Sequence, residues 1–356
     1  MKMKRLLSVI LCATLTASTA LISTGCGGET KEEINVFNWG EYISNGEEDT
    51  LDVIADFEEK YNVKVNYTNY ESNEEMYNML KDSNSSYDVI IPSDYMISKL
   101  IEEDRLEKIN FENVPNASNL MEKYKKTEFD PTGEYSVAYS WGVVALAYNK
   151  TMVSEKPTSF ASLWDEKYSG NILMFNNSRD AMAIAMKLKG ITPTSVTKKD
   201  IDTASAYLTE QKPILKKYVM DQVFTEMEGD QAALAPYYAG DIAAMMGNNE
   251  NLDYVLPEEG SNLFIDSMCI PKTTQNKELA EKFINYMLEA EVAKANAEYI
   301  GYSTPNQAAY ELLDDSVKNN QLVYPSDEYL AKCYTFANLP QDVYDYMQDQ
   351  FLKVQS

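Results

Sequence analysis

Histidine is absent from this chain of 356 residues. Without an imidazole there is no Ser-His-Asp or Cys-His catalytic unit, and the commonest zinc sites are excluded as well. Basic residues are few: 31 Lys and Arg stand against 56 Asp and Glu, a net charge of −25. Nucleic-acid binding needs a basic footprint, so that class of partner is excluded. Cysteine is scarce, with four residues. Cys12 falls in the N-terminal apolar run and Cys26 just after it, which leaves Cys269 and Cys333. That pair forms either a disulfide or two thiols, and the mixed apolar context of both favours buried thiols. Nucleophile elbow, phosphate loop and metal motifs are missing, as are solenoid repeats and low-complexity tracts.

What is present begins at the N-terminus. Lys2, Lys4 and Arg5 precede an apolar, small-residue run over 6–22. The run is too short and too rich in Ser and Thr to be a stable membrane span, and reads as a signal peptide. Ser23-Thr24-Gly25-Cys26 follows, the small-residue-then-Cys pattern at which a bacterial lipoprotein is cleaved and its Cys acylated. Residues 1–25 are therefore expected to be removed, and Cys26 to carry lipid at the head of a linker over 26–33. No long apolar stretch recurs after it. The remaining 331 residues carry a charge of about −28 and exceed what one core comfortably holds, so two lobes are expected.

Along the chain, 34–39 alternates as a strand, 50–61 puts Val53, Ile54, Phe57 and Tyr61 on one helical face, and 63–67 alternates again. A helix over 73–80 and an apolar strand over 87–91 complete a βαβαβ order, which argues for a parallel sheet covered by helices. The same grammar continues with extended segments at 136–148, 171–175 and 262–270, and a buried strand at 241–247. Helices are expected over 162–168, 181–188, 199–211 and, as one long amphipathic element, 277–295. The fold class is α/β, two lobes with a ligand cleft between sheet ends.

Several short motifs then become specific. Asn38-Trp39-Gly40-Glu41-Tyr42 follows the first strand, Tyr70-Glu71-Ser72-Asn73-Glu74-Glu75-Met76-Tyr77 the second, and Pro92-Ser93-Asp94-Tyr95 ends the third. Tyr139-Ser140-Trp141-Gly142, Ile265-Asp266-Ser267 and Gly301-Tyr302-Ser303-Thr304-Pro305-Asn306 come later. In this order and spacing the chain resembles the spermidine/putrescine-binding proteins of bacterial polyamine ABC transporters, from about residue 34 to about 325. The resemblance implies a type II periplasmic-binding-protein fold with crossovers near Trp141, Asn262 and Tyr302. Lobe 1 is expected from 34–140 and 264–301, and lobe 2 from 141–263 and 302–356.

A polyamine is a row of methylenes punctuated by ammonium groups, so its site needs aromatic faces and carboxylates at amine spacing. The resemblance assigns Trp39, Glu41 and Tyr42 to one wall, Ser93 and Tyr95 to the next, and Tyr302 to a third. Asp266 carries the most weight, because a carboxylate inside the apolar stretch 263–268 is costly without a cationic partner. In the second lobe the resemblance selects Asn177 and Asp180, with Asp180 in place of a Glu and Asn177 in place of an Asp. Asn248 falls near a family Trp, Phe264 replaces another aromatic, and Asp230 stands where the family has Ser. With one carboxylate lost at Asn177, a diamine is expected to bind at least as well as a triamine, unless Asp230 or Glu250 restores the charge.

The resemblance thus implies a monomeric extracytoplasmic receptor, and the Cys26 pattern implies that lipid anchors it on the outer face of the cell membrane, with the periplasm as the alternative location. It would capture a polyamine for the permease and ATPase of an ABC importer, with no cofactor, no metal and no catalysis. Two alternatives stay open: the same fold serving another solute, such as a sugar, a metal or another amine, and a secreted hydrolase using the pair Asp180 and Asp266.

Overall fold

The computed structural model describes residues 31–47, 50–81 and 86–356. The signal segment and Cys26 lie outside the described residues. Strand β1 (Glu33–Trp39) runs through the first core, with Ile34, Val36 and Phe37 fully buried. Helix α1 (Val53–Tyr61) starts where Asp52 accepts the Ala55 amide and stops where Asn62 turns left-handed at φ 52°. Strand β2 (Lys64–Tyr70), helix α2 (Asn73–Lys81), the short strand β3 (Val89–Ile90) and helix α3 (Asp94–Glu102) complete the opening βαβαβα unit. β1 pairs in parallel with both β2 and β3.

Strand β4 (Ser136–Asn149) is the long connector, and all but its first residue are buried. It leads to β5 (Ile172–Phe175), α4 (Ser178–Leu188), α5 (Lys198–Gln211), β6 (Leu215–Val219), α6 (Gln222–Glu228), β7 (Leu234–Tyr238), α7 (Ala239–Asn248) and β8 (Leu252–Val255). Strand β9 (Leu263–Cys269) returns to the first half, followed by α8 (Lys277–Met287) and α9 (Ala290–Ile300). The nine strands form a mixed sheet ordered β2-β1-β3-β9-β4-β7-β5-β6, with β8 also on β4. β5 is parallel to β6 and β7, whereas β9 and β4 run antiparallel to their neighbours.

Two hydrophobic cores share this sheet. Phe37, Phe57, Ile97, Phe283 and Tyr286 centre the first, and Leu146, Leu163, Phe175, Met182 and Phe351 the second. β4 joins them: its residues up to Val143 pair with β9, and from Val144 onward with β7. The tail, expected wholly in the second lobe, is split between them. Leu313, Val323 and Tyr324 pack in the first core, where Trp141 meets Tyr324, while Met347, Phe351 and Val354 pack in the second.

Other expectations change in detail. The segment 241–247 is helical rather than a strand, because Ala239, Ile242 and Met245 recur at threefold spacing on one buried face. The buried strand is Leu234–Tyr238 just before it. The single helix over 277–295 breaks at Leu288, whose carbonyl accepts side-chain amides from Asn119 and Asn306 instead of continuing the ladder. The helix expected over 162–168 is two 3-10 turns, Phe160–Trp164 and Glu166–Tyr168. Cys269 and Cys333 are free thiols, the first buried and the second half-buried.

Candidate functional site

At the level where β4 leaves one core for the other, the sheet buries a carboxylate. Asp266 sits in mid-β9, 5% exposed, opposite Ser140 of β4 and bridged on its other side to Ser93. The Tyr42 hydroxyl donates to its Oδ2 at 2.7 Å, and Oδ1 has no hydrogen-bond partner. Burial pushes its pKa up to about 6, opposed by the Ser93 and Tyr42 hydroxyls. A shift of register in β4 between Ala138 and Ser140 leaves Tyr139 to donate to the Tyr42 carbonyl at 2.7 Å, which fixes that loop.

From Tyr139 an edge-to-face row of aromatic rings crosses the molecule. Tyr139, Tyr42, Tyr302, Phe264 and Tyr238 follow with centroids 5.6, 5.9, 5.6 and 5.7 Å apart. Tyr238 then meets Phe175 of the second core at 5.3 Å. Two glycines make room: a Cβ on Gly142 would come within 2.7 Å of Phe264, and one on Gly240 within 2.7 Å of Tyr302.

Each of three tyrosines along the row donates to one acid. Tyr42 meets Asp266, Tyr302 meets Asp241 at 2.9 Å, and Tyr238 meets Asp180 at 3.0 Å. Asp180 is 5% exposed and its Oδ1 has no partner. Burial pushes it up to about 6, with Tyr238 and Arg179 opposing and Glu74 adding to the rise. Asp241, in the first turn of α7 and half-buried, is pushed up to about 7 by burial against the Tyr302 hydrogen bond. Among the described residues none of these acids forms an ion pair with Lys or Arg.

The second wall comes from α3 and α4. The Arg179 guanidinium lies 3.9 Å from the centre of the Tyr95 ring. The Tyr95 hydroxyl accepts from Asn73 at 3.1 Å and donates to Glu74 at 3.2 Å. Phe336 stands edge-on to Tyr95 at 6.5 Å. Asn177 caps α4, its Oδ1 accepting the amides of Arg179 and Asp180, so that oxygen is committed to the helix.

The structure therefore gathers Tyr42, Ser93, Asp266, Phe264 and Tyr302 directly, and brings Asp180 and Tyr95 to the same region through Tyr238 and Arg179. Trp39 is half-buried against Tyr70 at 4.6 Å and donates to the Ile91 carbonyl. Glu41 is exposed and its carboxylate accepts the Tyr299 hydroxyl of α9. Asp230 and Asn248 do not join the cluster. Asp230 is exposed and accepts amides from Asn149, Asn249 and Asn251, tying a turn together. Asn248 is exposed at the far end of α7, roughly 10 Å along the helix from Asp241 at about 1.5 Å per residue, and donates to Glu228. Tyr238 supplies an aromatic in place of the one sought near Asn248, because the strand ends nine residues earlier than expected. Glu250 is exposed too, so neither Asp230 nor Glu250 restores charge to the site.

Sequence reasoning also missed Asp94, Tyr139 and Asp241. Asp94, the first residue of α3, is 1% exposed and its Oδ2 has no partner. Its burial after a Pro-Ser turn leaves no periodic signal, and Asp241 was obscured by reading α7 as a strand. Among the described residues no group of three or more His, Cys, Asp or Glu is placed to hold a metal ion, and no helix is long and apolar enough to cross a membrane.

Comparison with known proteins follows the same lines. Residues 84–333 match the family model of the bacterial extracellular solute-binding proteins, and residues 1–128 match a hypothetical-lipoprotein family. The spermidine/putrescine-binding periplasmic protein of Escherichia coli is 32% identical over 311 residues, 87% of this chain and 88% of its own. A putative spermidine/putrescine ABC transporter structure from Listeria monocytogenes superposes with a TM-score of 0.84 at 34% identity, covering 91% of this chain and 99% of its own. The spermidine/putrescine substrate-binding protein of Streptococcus pneumoniae gives 0.81 at 33% identity, covering 91% and 98%.

Proposed function

The chain belongs to the bacterial extracellular solute-binding proteins, and on that premise we propose that its solute is a polyamine, handed on to the permease and ATPase of an ABC importer. The observation that carries this is the aromatic row with its acids. Asp266 and Asp180 are buried and, among the described residues, lack a basic partner and keep an oxygen each with no hydrogen-bond partner, while Tyr42, Tyr302, Phe264 and Tyr238 line the path between them. Ammonium groups supply the missing donors, and the intervening methylenes lie against the rings. An anionic solute fits poorly, since the one guanidinium near the site among the described residues, that of Arg179, is already stacked on Tyr95 and flanked by Asp180. The hydrolase alternative gains nothing from the geometry: both acids of the suggested pair take tyrosine hydroxyls. Calorimetric titration with putrescine, spermidine, a sugar and an amino acid tests the assignment. Saturable binding of the amines alone supports it, and binding of the sugar or amino acid in their place overturns it.

The match of the N-terminal third to a lipoprotein family supports acylation at Cys26. With no long apolar stretch after Cys26 in the sequence, Cys26→Ala should move the processed protein from the membrane fraction to the soluble one. Continued membrane fractionation of that variant would rule the anchor out.

A further inference from the structure

We propose that Asp94 is a second binding carboxylate at the Asp266 end of the site, and that the two acids together hold one ammonium of the solute. This rests on the polyamine reading above. The backbone supplies the juxtaposition: Ser93, the residue before Asp94, is bridged to Asp266 itself. Asp94 is 1% exposed. Its Oδ1 accepts the Tyr95 amide at 2.6 Å, and its Oδ2 has no hydrogen-bond partner. Asp266 presents the same pattern, with Oδ2 held by Tyr42 and Oδ1 without a donor.

An acid in the first turn of a helix is ordinarily a solvated group that eases the helix dipole. Asp94 is instead sealed from solvent beside a second acid. The charged groups that bear on it are Asp266 from β9 and Arg179 from α4, and Arg179 is stacked on Tyr95 rather than paired with the carboxylate. Burial pushes Asp94 up to about 8, and the Asp266 charge adds to the rise; the Tyr95 amide, Arg179 and, least, the nearby Ile265 amide of β9 oppose it. Asp266 ionises first, and its charge holds a proton on Asp94. An arriving ammonium reverses the balance. The Asp94 O–H bond breaks, its proton passes to solvent, and the carboxylate accepts an N–H of the bound cation. Capture at neutral pH thus releases a proton.

Calorimetry of putrescine binding, run near pH 7.5 in buffers of different ionisation enthalpy, reads both parts of the proposal. Wild type should release up to roughly three-quarters of a proton on binding, the share that a carboxyl titrating at about 8 still holds near pH 7.5. Asp94→Asn should bind roughly 10- to 100-fold more weakly, the range for a hydrogen bond to a charged group, and should release most of a proton less. Undiminished affinity and proton release in a folded Asp94→Asn would overturn the proposal. If that variant fails to fold, wild type alone decides. Its affinity should strengthen from about pH 6 to about pH 8.5, a range in which a primary amine stays charged, and a flat profile would overturn the pairing. Failure of wild type to bind any polyamine would instead sink the reading on which it rests.

Discussion

Asp266 shows how one residue can be legible from sequence. A carboxylate in the run Leu263-Phe264-Ile265-Asp266 is surrounded by apolar neighbours that a strand must bury, so its cost demands a partner. The structure gives it a tyrosine hydroxyl and leaves one oxygen over. Asp266→Asn keeps the shape and a hydrogen bond from Tyr42 but removes the counter-charge. It should weaken polyamine binding by roughly 2–4 kcal/mol, the scale for breaking a desolvated charge pair. Calorimetry on the folded variant reads this, and affinity equal to wild type would remove Asp266 from the site. The acids that escaped notice, Asp94 and Asp241, share a different property. Both stand in the first turn of a helix, where an Asp is ordinarily exposed, and the tertiary packing of β9 against one and of Tyr302 against the other encloses the carboxylate; at Asp241 the strand reading of 241–247 hid the helix as well.

Among the elements, the opening strands and helices and the two long strands β4 and β9 were readable because their periodicity is strong over many residues. Helix α7 was not. Ala-Gly-Asp-Ile-Ala-Ala-Met-Met is a short apolar run in which strand and buried helix look alike, and the error moved the expected aromatic wall from Tyr238 to Asn248. The start of α7 is also where backbone and ring approach most closely. Gly240 faces the Tyr302 ring, which also lies close to Gly142 and is held at its tip by Asp241. A methyl at Gly240 therefore has no flexible neighbour to displace. Gly240→Ala should cost about 1–3 kcal/mol of stability, as overpacking does, and should weaken solute binding by shifting Tyr302. Gly247 of the same helix faces open space. Gly247→Ala should be neutral or stabilise by up to about 1 kcal/mol. Urea unfolding of the pair separates the two causes: equal effects would mean that helix propensity, not the Tyr302 contact, decides.

At the scale of the molecule, two cores share one sheet and meet again across the site. Arg179 of α4 stacks on Tyr95 of α3, Asn338 donates to Glu102 at 2.7 Å, and Lys99 donates to Gln341 at 3.1 Å. Bringing these surfaces together encloses four acids whose pKa values burial raises: Asp94 to about 8, Asp241 to about 7, Asp180 and Asp266 to about 6. In the unfolded chain an Asp titrates near about 3.9. A raised carboxylate binds more protons folded than unfolded, so its contribution to stability is complete below about pH 4 and is lost as pH rises through its folded pKa. Glu226, held low by Lys216 and then Lys217, titrates on the acid side of that window and does not mask it. The solute-free protein should therefore lose thermal stability between about pH 5 and about pH 8.5. A polyamine reverses the sign, because its ammonium groups stabilise the ionised acids that solvent no longer reaches. The rise in Tm at saturating putrescine should grow across the same window. Scanning calorimetry with and without the amine tests both slopes, and a ligand-induced rise that stays constant with pH would mean that these four acids do not meet the bound cation.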